Sequence, residues 1–179
     1  YLNLEACSGF EYLLERNFDQ TLGDLLYYLR LGSDQLITKM GSIVQSVNNL
    51  DYLPPVLSME DIQSTTAQEW ISLLQQIIDY SNYNVVILDL SDSVSQLYKV
   101  LEQCTRIYMP IRADPVSQAK IQQFEHTLQV WEKQAVLDRI RKIKPPYHRS
   151  TRSGTGYMDD LVWSELGDYV REILRKERE

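Results

Sequence analysis

The spacing of apolar residues changes several times along this chain, and each change marks a passage between strand and helix. Tyr1 to Leu4 reads as a strand. From Gly9 to Leu31 the set Leu13, Leu14, Leu22, Leu25, Leu26 and Leu29 predicts loop and helices, closed by Gly32 and Ser33. Ser42 to Val47 and Leu50 to Leu53 can pair as two short strands across Asn48-Asn49, with Pro54-Pro55 stopping them. Thr66-Ala-Gln-Glu69 fits a capping box, and behind it Trp70, Leu73, Leu74, Ile77 and Ile78 recur at helical spacing. The run Val85 to Leu88 has no alternation, so it predicts a strand covered on both faces, as in a parallel sheet between helices. Asp89 then falls at the strand's carboxyl end.

The alternation continues through the second half. Leu97, Val100, Leu101 and Cys104 make a helical stripe, and Arg106 to Ile111 reads as a strand. Asp114-Pro115 supplies an N-cap and a first-turn proline for a long helix, with Ala119, Phe124, Leu128, Trp131 and Ala135 inward and Lys144-Pro145-Pro146 as its end. The run from Ser150 to Gly156 predicts a loop, and a last helix from about Asp159 turns Leu166, Val170, Ile173 and Leu174 inward. These stripes are core positions, and nothing marks them as a cofactor box. The tail, Arg171 to Glu179, mixes both charge signs, which suits a solvated helix better than a membrane-surface one. The fold class that emerges is α/β, a mostly parallel sheet with helices on both faces, in a single domain spanning residues 1–179.

Charge and cysteine content narrow the function classes. Lys+Arg 18 against Asp+Glu 25 gives a net charge of −7, which disfavours a broad nucleic-acid-binding face. The one dense basic stretch, Arg139 to Lys144 followed by His148, Arg149 and Arg152, reads as a helix end and loop. Cys7 and Cys104 form neither a disulfide framework nor a metal motif with His126 or His148, which fits a reducing, cytoplasmic compartment. No apolar run approaches a membrane span. The chain opens at Tyr1 inside a strand, with neither signal peptide nor initiator methionine, and is expected to be the C-terminal part of a longer polypeptide.

An acid at the carboxyl end of a strand in an open α/β sheet can hold a Mg²⁺ hydration shell or place water beside a phosphate. Asp89 is therefore a candidate ligand-site residue, and equally a candidate cap for the next helix. Asp92 or Ser93 is a second candidate N-cap.

The order of segments resembles the ParA/MinD family of P-loop ATPases, including relatives with a receiver-like domain in front. Val85-Val-Ile-Leu-Asp-Leu-Ser-Asp-Ser93 looks like the family's Walker B strand and switch segment. Leu97 to Cys104 looks like the helix that follows, Arg106-Ile-Tyr-Met-Pro-Ile111 like the next central strand, and Pro115-Val-Ser-Gln-Ala-Lys120 like the start of the helix after it. Tyr1 to Phe10 looks like the second strand, where Asn3 and Glu5 occupy the positions of two acids one residue apart. The resemblance implies a three-layer P-loop fold, ATP and Mg²⁺ as cofactors, and a homodimer that acts as a nucleotide-gated switch for positioning or regulation. It also implies roles: Asp89 catalytic and bound to Mg²⁺ through water, Glu5 orienting the attacking water, and Asn3, Ser91, Asp92 and Ser93 at the nucleotide. Two departures stand out. No Gly-rich loop ending Gly-Lys-Ser/Thr occurs between Tyr1 and Glu179, so the loop is expected upstream and this segment alone is expected to be inactive. The strand that carries the adenine-recognising Asn in the family has no such residue in Arg141 to Pro146.

A rival from another class is a non-catalytic interaction module using the acidic surface and the twelve tyrosines. A phospho-receiver with Asp89 as acceptor is a third reading, weakened because the strand from Arg106 to Ile111 ends without the lysine such a site requires.

Overall fold

The computed structural model describes residues 1–32, 34–150 and 152–176. They fall into two compact units, Tyr1–Leu97 with Arg152–Met158, and Tyr98–Thr151 with Asp159–Glu179.

The first unit runs β1 (Leu2–Leu4), α1 (Phe10–Leu14), α2 (Leu22–Arg30), α3 (Leu36–Ile43), β2 (Gln45–Val47), β3 (Leu50–Tyr52), α4 (Met59–Ser64), α5 (Ala67–Tyr80) and β4 (Leu88–Leu90). Strand β1 pairs in parallel with β4, Leu2 opposite Leu88, Asn3 opposite Asp89 and Leu4 opposite Leu90. Strands β2 and β3 form an antiparallel hairpin whose turn residues, Asn48 and Asn49, both take positive φ (47° and 63°). That conformation matches the right-handed twist of the strands, and Asn tolerates it better than most residues. A single parallel bridge from Leu53 to Leu2 ties the hairpin to β1. Helices α2, α3 and α5 pack on one another through Leu22, Leu25, Leu26, Leu36, Met40, Trp70 and Leu73, all buried. Both α2 and α5 start with complete capping boxes, Thr21 with Asp24 and Thr66 with Glu69. A separate aromatic cluster gathers Leu14, Val47 and Tyr52 with Tyr1, Phe10, Phe18 and Met158.

The two-sided burial expected for Val85 to Leu88 does not hold. Val85 is 73% and Ile87 51% exposed, and the strand comprises only Leu88–Leu90. The physical reason is packing: burial of both faces needs a layer on each, and the side chains of Val85 and Ile87 open to solvent instead. Ile78 is exposed as well, although the rest of the α5 stripe is buried.

The remaining elements are α6 (Leu97–Leu101), β5 (Ile107–Pro110), α7 (Pro115–Val130), α8 (Gln134–Arg139), β6 (Ile140–Ile143), α9 (Gly154–Val162) and α10 (Glu165–Lys176). Asp114 caps α7 as expected, its Oδ1 accepting from the Ser117 N–H at 2.9 Å. The helix does not run on to Lys144. Trp131 closes it, Glu132 takes φ 57°, and Arg139 ends the short α8 before β6 pairs in parallel with β5. The basic stretch is thus a helix end and then a strand. The Arg139 guanidinium donates to the carbonyls of Glu102 and Cys104 at 2.9 and 3.1 Å, and Lys142 pairs with Glu125 at 2.7 Å.

Of the inward set assigned to the long helix only Leu128 is buried; Ala119, Trp131 and Ala135 are exposed, and Val136 is buried instead. The last helical region begins at Gly154, five residues early, and α10 buries none of its residues, Val170 and Leu174 included. Ser33, Thr151 and the tail beyond Lys176 lie outside the described residues. The chain is a mixed α/β protein with two parallel ladders and one antiparallel ladder, each of two strands, among the described residues. No helix there is long and apolar enough to cross a membrane.

Candidate functional site

Pairing of β1 with β4 sets Asn3 beside Asp89 on adjacent parallel strands. Side chains two apart on a strand share a face, so Tyr1 lies with Asn3 on the face that Asp89 also presents. The Tyr1 hydroxyl donates to Asp89 Oδ2 at 2.7 Å. Asn3 Nδ2 donates to the Tyr1 hydroxyl at 3.2 Å and reaches Asp89 Oδ2 at 3.5 Å, a marginal contact. The other end of the amide is fixed too, because Asn3 Oδ1 accepts from the Glu5 N–H at 2.9 Å. Asn3 is 4% exposed, whereas Asp89 is open to solvent. The Tyr1 ring is stacked on Phe10, centroids 5.7 Å apart and planes 14° from parallel, and Phe10 rests against Tyr52. Burial first, and then the hydrogen bond and charge of Asp89, push the Tyr1 phenol above its usual range. It stays protonated and remains a donor at neutral pH.

Asp89 occupies the middle of β4, not its carboxyl end, and it caps no helix: its carboxylate takes Tyr1 and Asn3. Past the strand, Ser91 Oγ accepts from the Ser93 N–H at 3.3 Å and the Ser91 carbonyl from the Val94 N–H at 3.4 Å, closing a turn over the buried Val94. Helix α6 begins only at Leu97, after Gln96 at φ 52°, so neither Asp92 nor Ser93 is its N-cap. Asp92 is exposed and Ser93 half-buried on that turn. Of the six candidate residues, Asn3 and Asp89 are joined directly and Glu5 through its backbone, while Ser91, Asp92 and Ser93 follow β4. Tyr1 was not singled out by residue type, although its place two before Asn3 in a strand puts it on the same face.

This arrangement can offer one unengaged carboxylate oxygen, Asp89 Oδ1, to which nothing donates among the described residues. Carboxylate and hydroxyl oxygens suit a hydrated Mg²⁺, which is held by few protein ligands and keeps most of its waters. Among the described residues no group of three or more His, Cys, Asp and Glu is placed to hold a metal directly. Asp89 thus offers one carboxylate oxygen and no set of direct metal ligands, and the phosphates of ATP need backbone N–H groups that no Gly-rich loop within these 179 residues provides. A cavity of about 250 Å³ lies at the amino ends of the same strands, lined by Leu2, Leu53, Ile77, Val86, Asp51 and Tyr83 among others. Asp51 there accepts from the Tyr83 hydroxyl at 2.8 Å and from Ser46, and these bonds, the Ser46 one foremost, hold its carboxyl below the usual range. Tyr1 joins this cavity to the acid site, since it lines the cavity, its backbone nitrogen donates to the Asp51 carbonyl at 2.8 Å and its hydroxyl donates to Asp89. No family model matches this chain, and no curated protein matches it.

Proposed function

We propose that this chain is the Walker B and switch portion of a ParA/MinD-like P-loop ATPase, a cytoplasmic homodimer that uses Mg·ATP as a gate for positioning or regulation. The observation that supports the reading is the parallel register of Asn3 with Asp89. Glu5 and Ser91 follow the carboxyl ends of the two paired strands, the region where open α/β sheets bind ligands, and Asp89 lies within β4 two residues before Ser91. In this reading Asp89 accepts hydrogen bonds from cation-bound water, Glu5 orients the attacking water, and the turn from Ser91 to Ser93 responds to the terminal phosphate. Bound Mg²⁺ would supply charge neutralisation on the phosphates. The phosphate cradle that this reading requires is a Gly-Lys-Ser/Thr loop outside these 179 residues.

The test is Mg·ATP binding by the full-length polypeptide, with Asp89→Asn as the near-isosteric variant that removes only charge. A loss of about tenfold or more in affinity or turnover, with unchanged circular dichroism, is the expected result. Unchanged affinity and turnover, or a full-length sequence without the loop, would sink the ATPase reading. A second reading, the non-catalytic interaction module, is favoured by the exposed Val85 and Ile87 just ahead of β4. The same titration separates the two.

A further inference from the structure

We propose that the cavity at the amino ends of β1 and β4 binds a neutral aromatic molecule of one or two fused rings, whose N–H or O–H is accepted by Asp51. The void itself points to a ligand. Folded interiors are close-packed and hold few gaps larger than a water molecule, yet this cavity measures about 250 Å³. A dry apolar void of about 150 Å³ already takes up benzene, so there is room here for a second ring. The floor is apolar: Leu2, Met40 and Leu53 are 4% exposed and Ile77 3%. The mouth is apolar as well, because Leu50, Val85 and Ile87 line it and are 36%, 73% and 51% exposed. A ring seated there takes these three side chains out of water, which supplies the drive for binding.

The polar groups of the wall set the chemistry of the ligand. Among the described residues that line the cavity there is one acid, Asp51, and no basic side chain. The Tyr83 hydroxyl donates to Asp51 Oδ2 at 2.8 Å and the Ser46 hydroxyl to Oδ1, which orients the half-buried carboxylate and keeps it ionised. A carboxylate has about four acceptor sites, and these bonds fill two of them. Tyr83 has given its only proton to Asp51, so its oxygen is left as an acceptor. The Tyr1 nitrogen is turned to the Asp51 carbonyl at 2.8 Å, and Asn49 stands exposed on the hairpin turn. The wall is therefore richer in acceptors than in donors, and a ligand with a donor complements it. Apolar walls penalise a charged ligand, so the matching molecule is neutral. A mostly apolar pocket in which a few polar groups fix orientation is the usual form of a small-molecule site. It uses none of the residues assigned to the nucleotide and stands or falls apart from that reading.

The experiment is a titration of the isotope-labelled 179-residue chain with indole, followed by amide chemical shifts, with benzofuran as the isostere that carries oxygen in place of the N–H. Indole should shift the amides of Val44, Leu53 and Val86 with a Kd of about 0.1–1 mM, the range for a ligand of so few atoms. Benzofuran should act on the same amides about tenfold more weakly, as expected for the loss of one charge-assisted hydrogen bond. Asp51→Asn should weaken indole about fivefold and leave benzofuran unchanged. Val44→Trp fills the void from a half-buried wall position and should abolish binding of both probes. Ile87→Trp, placed at the exposed mouth where the fold is not at stake, should weaken both. No shift of these amides at millimolar indole overturns the proposal, and so does binding that neither tryptophan variant reduces. Equal affinity for indole and benzofuran, or an indole affinity unchanged in Asp51→Asn, overturns Asp51 as the acceptor and with it the class of ligand proposed.

Discussion

Glu69→Gln tests whether the contact between α2 and α5 carries stability through charge. Glu69 Oε1 accepts from Arg30 Nε at 2.6 Å, and Oε2 accepts from the Thr66 N–H at 2.8 Å and the Thr66 hydroxyl at 2.7 Å. Arg30 also donates through Nη2 to the fully buried Thr65 at 3.0 Å, so one carboxylate serves both as capping-box partner and as cross-helix anchor. The Arg30 guanidinium foremost, and Thr66 after it, hold the carboxyl down to about 2 from its ordinary 4.5. Taken whole, that depression is equivalent to about 3 kcal/mol. The side chains are 39% and 26% exposed, however, and solvent screening reduces the expected contribution to about 1–1.5 kcal/mol. Because the folded-state value is depressed, the stabilisation is present in full above the unfolded value near 4.5 and is lost as pH falls from there toward 2. Urea unfolding of native chain and variant across this range is the assay. Near neutral pH the variant should be less stable by about 1–1.5 kcal/mol, or about 3–5 °C in Tm, and the gap should close near pH 2–3. A gap that is absent at neutral pH, or that persists undiminished in acid, would refute the electrostatic account of this joint.

Two further predictions bear on the sheet and on the site. Val85→Thr should change stability by less than about 0.5 kcal/mol because the side chain is already exposed, whereas Leu4→Ala, at 1% exposure, should cost about 2–5 kcal/mol; comparable costs at the two positions would restore the two-sided strand. The 179-residue chain by itself should bind Mg·ATP at about millimolar or worse in titration calorimetry, since its acids face an anionic ligand without a phosphate cradle, and micromolar affinity would mean that the site is built from other residues.

What was legible in the sequence is what local chemistry decides. Thr66-Ala-Gln-Glu69 and Asp114-Pro115 set helix starts through bonds spanning three residues, and Asn48-Asn49 sets a turn through backbone conformations that few residues tolerate; each appears in the structure as read. What was illegible depends on partners or on one backbone angle. The apolar run at Val85 to Leu88 has the composition of a buried strand, but burial requires elements packed on both faces, and Val85 and Ile87 are exposed. Helical periodicity carried on past Val130 because Trp131 and Ala135 keep the spacing, and no residue type announced the left-handed Glu132 that breaks the helix. The α10 stripe has the right period, yet period alone does not say whether a face is covered.

The candidate site divides along the same line. Asp89 stands out as an acid behind an apolar run and Asn3 through the resemblance of the first strand to the ParA/MinD family, but their partnership depends on strand order, and the Tyr1 contact depends on register as well. A shift of β4 by one residue would carry Asp89 to the opposite face and bring Leu88 or Leu90 against the Tyr1 hydroxyl, leaving that phenol and the buried Asn3 amide without their charged acceptor. The register therefore has a polar component beyond the apolar packing of Leu2 and Leu4. The carboxylate that orients β4 is engaged by Tyr1 and Asn3, so these hydrogen bonds bear on the strand pair independently of any ligand.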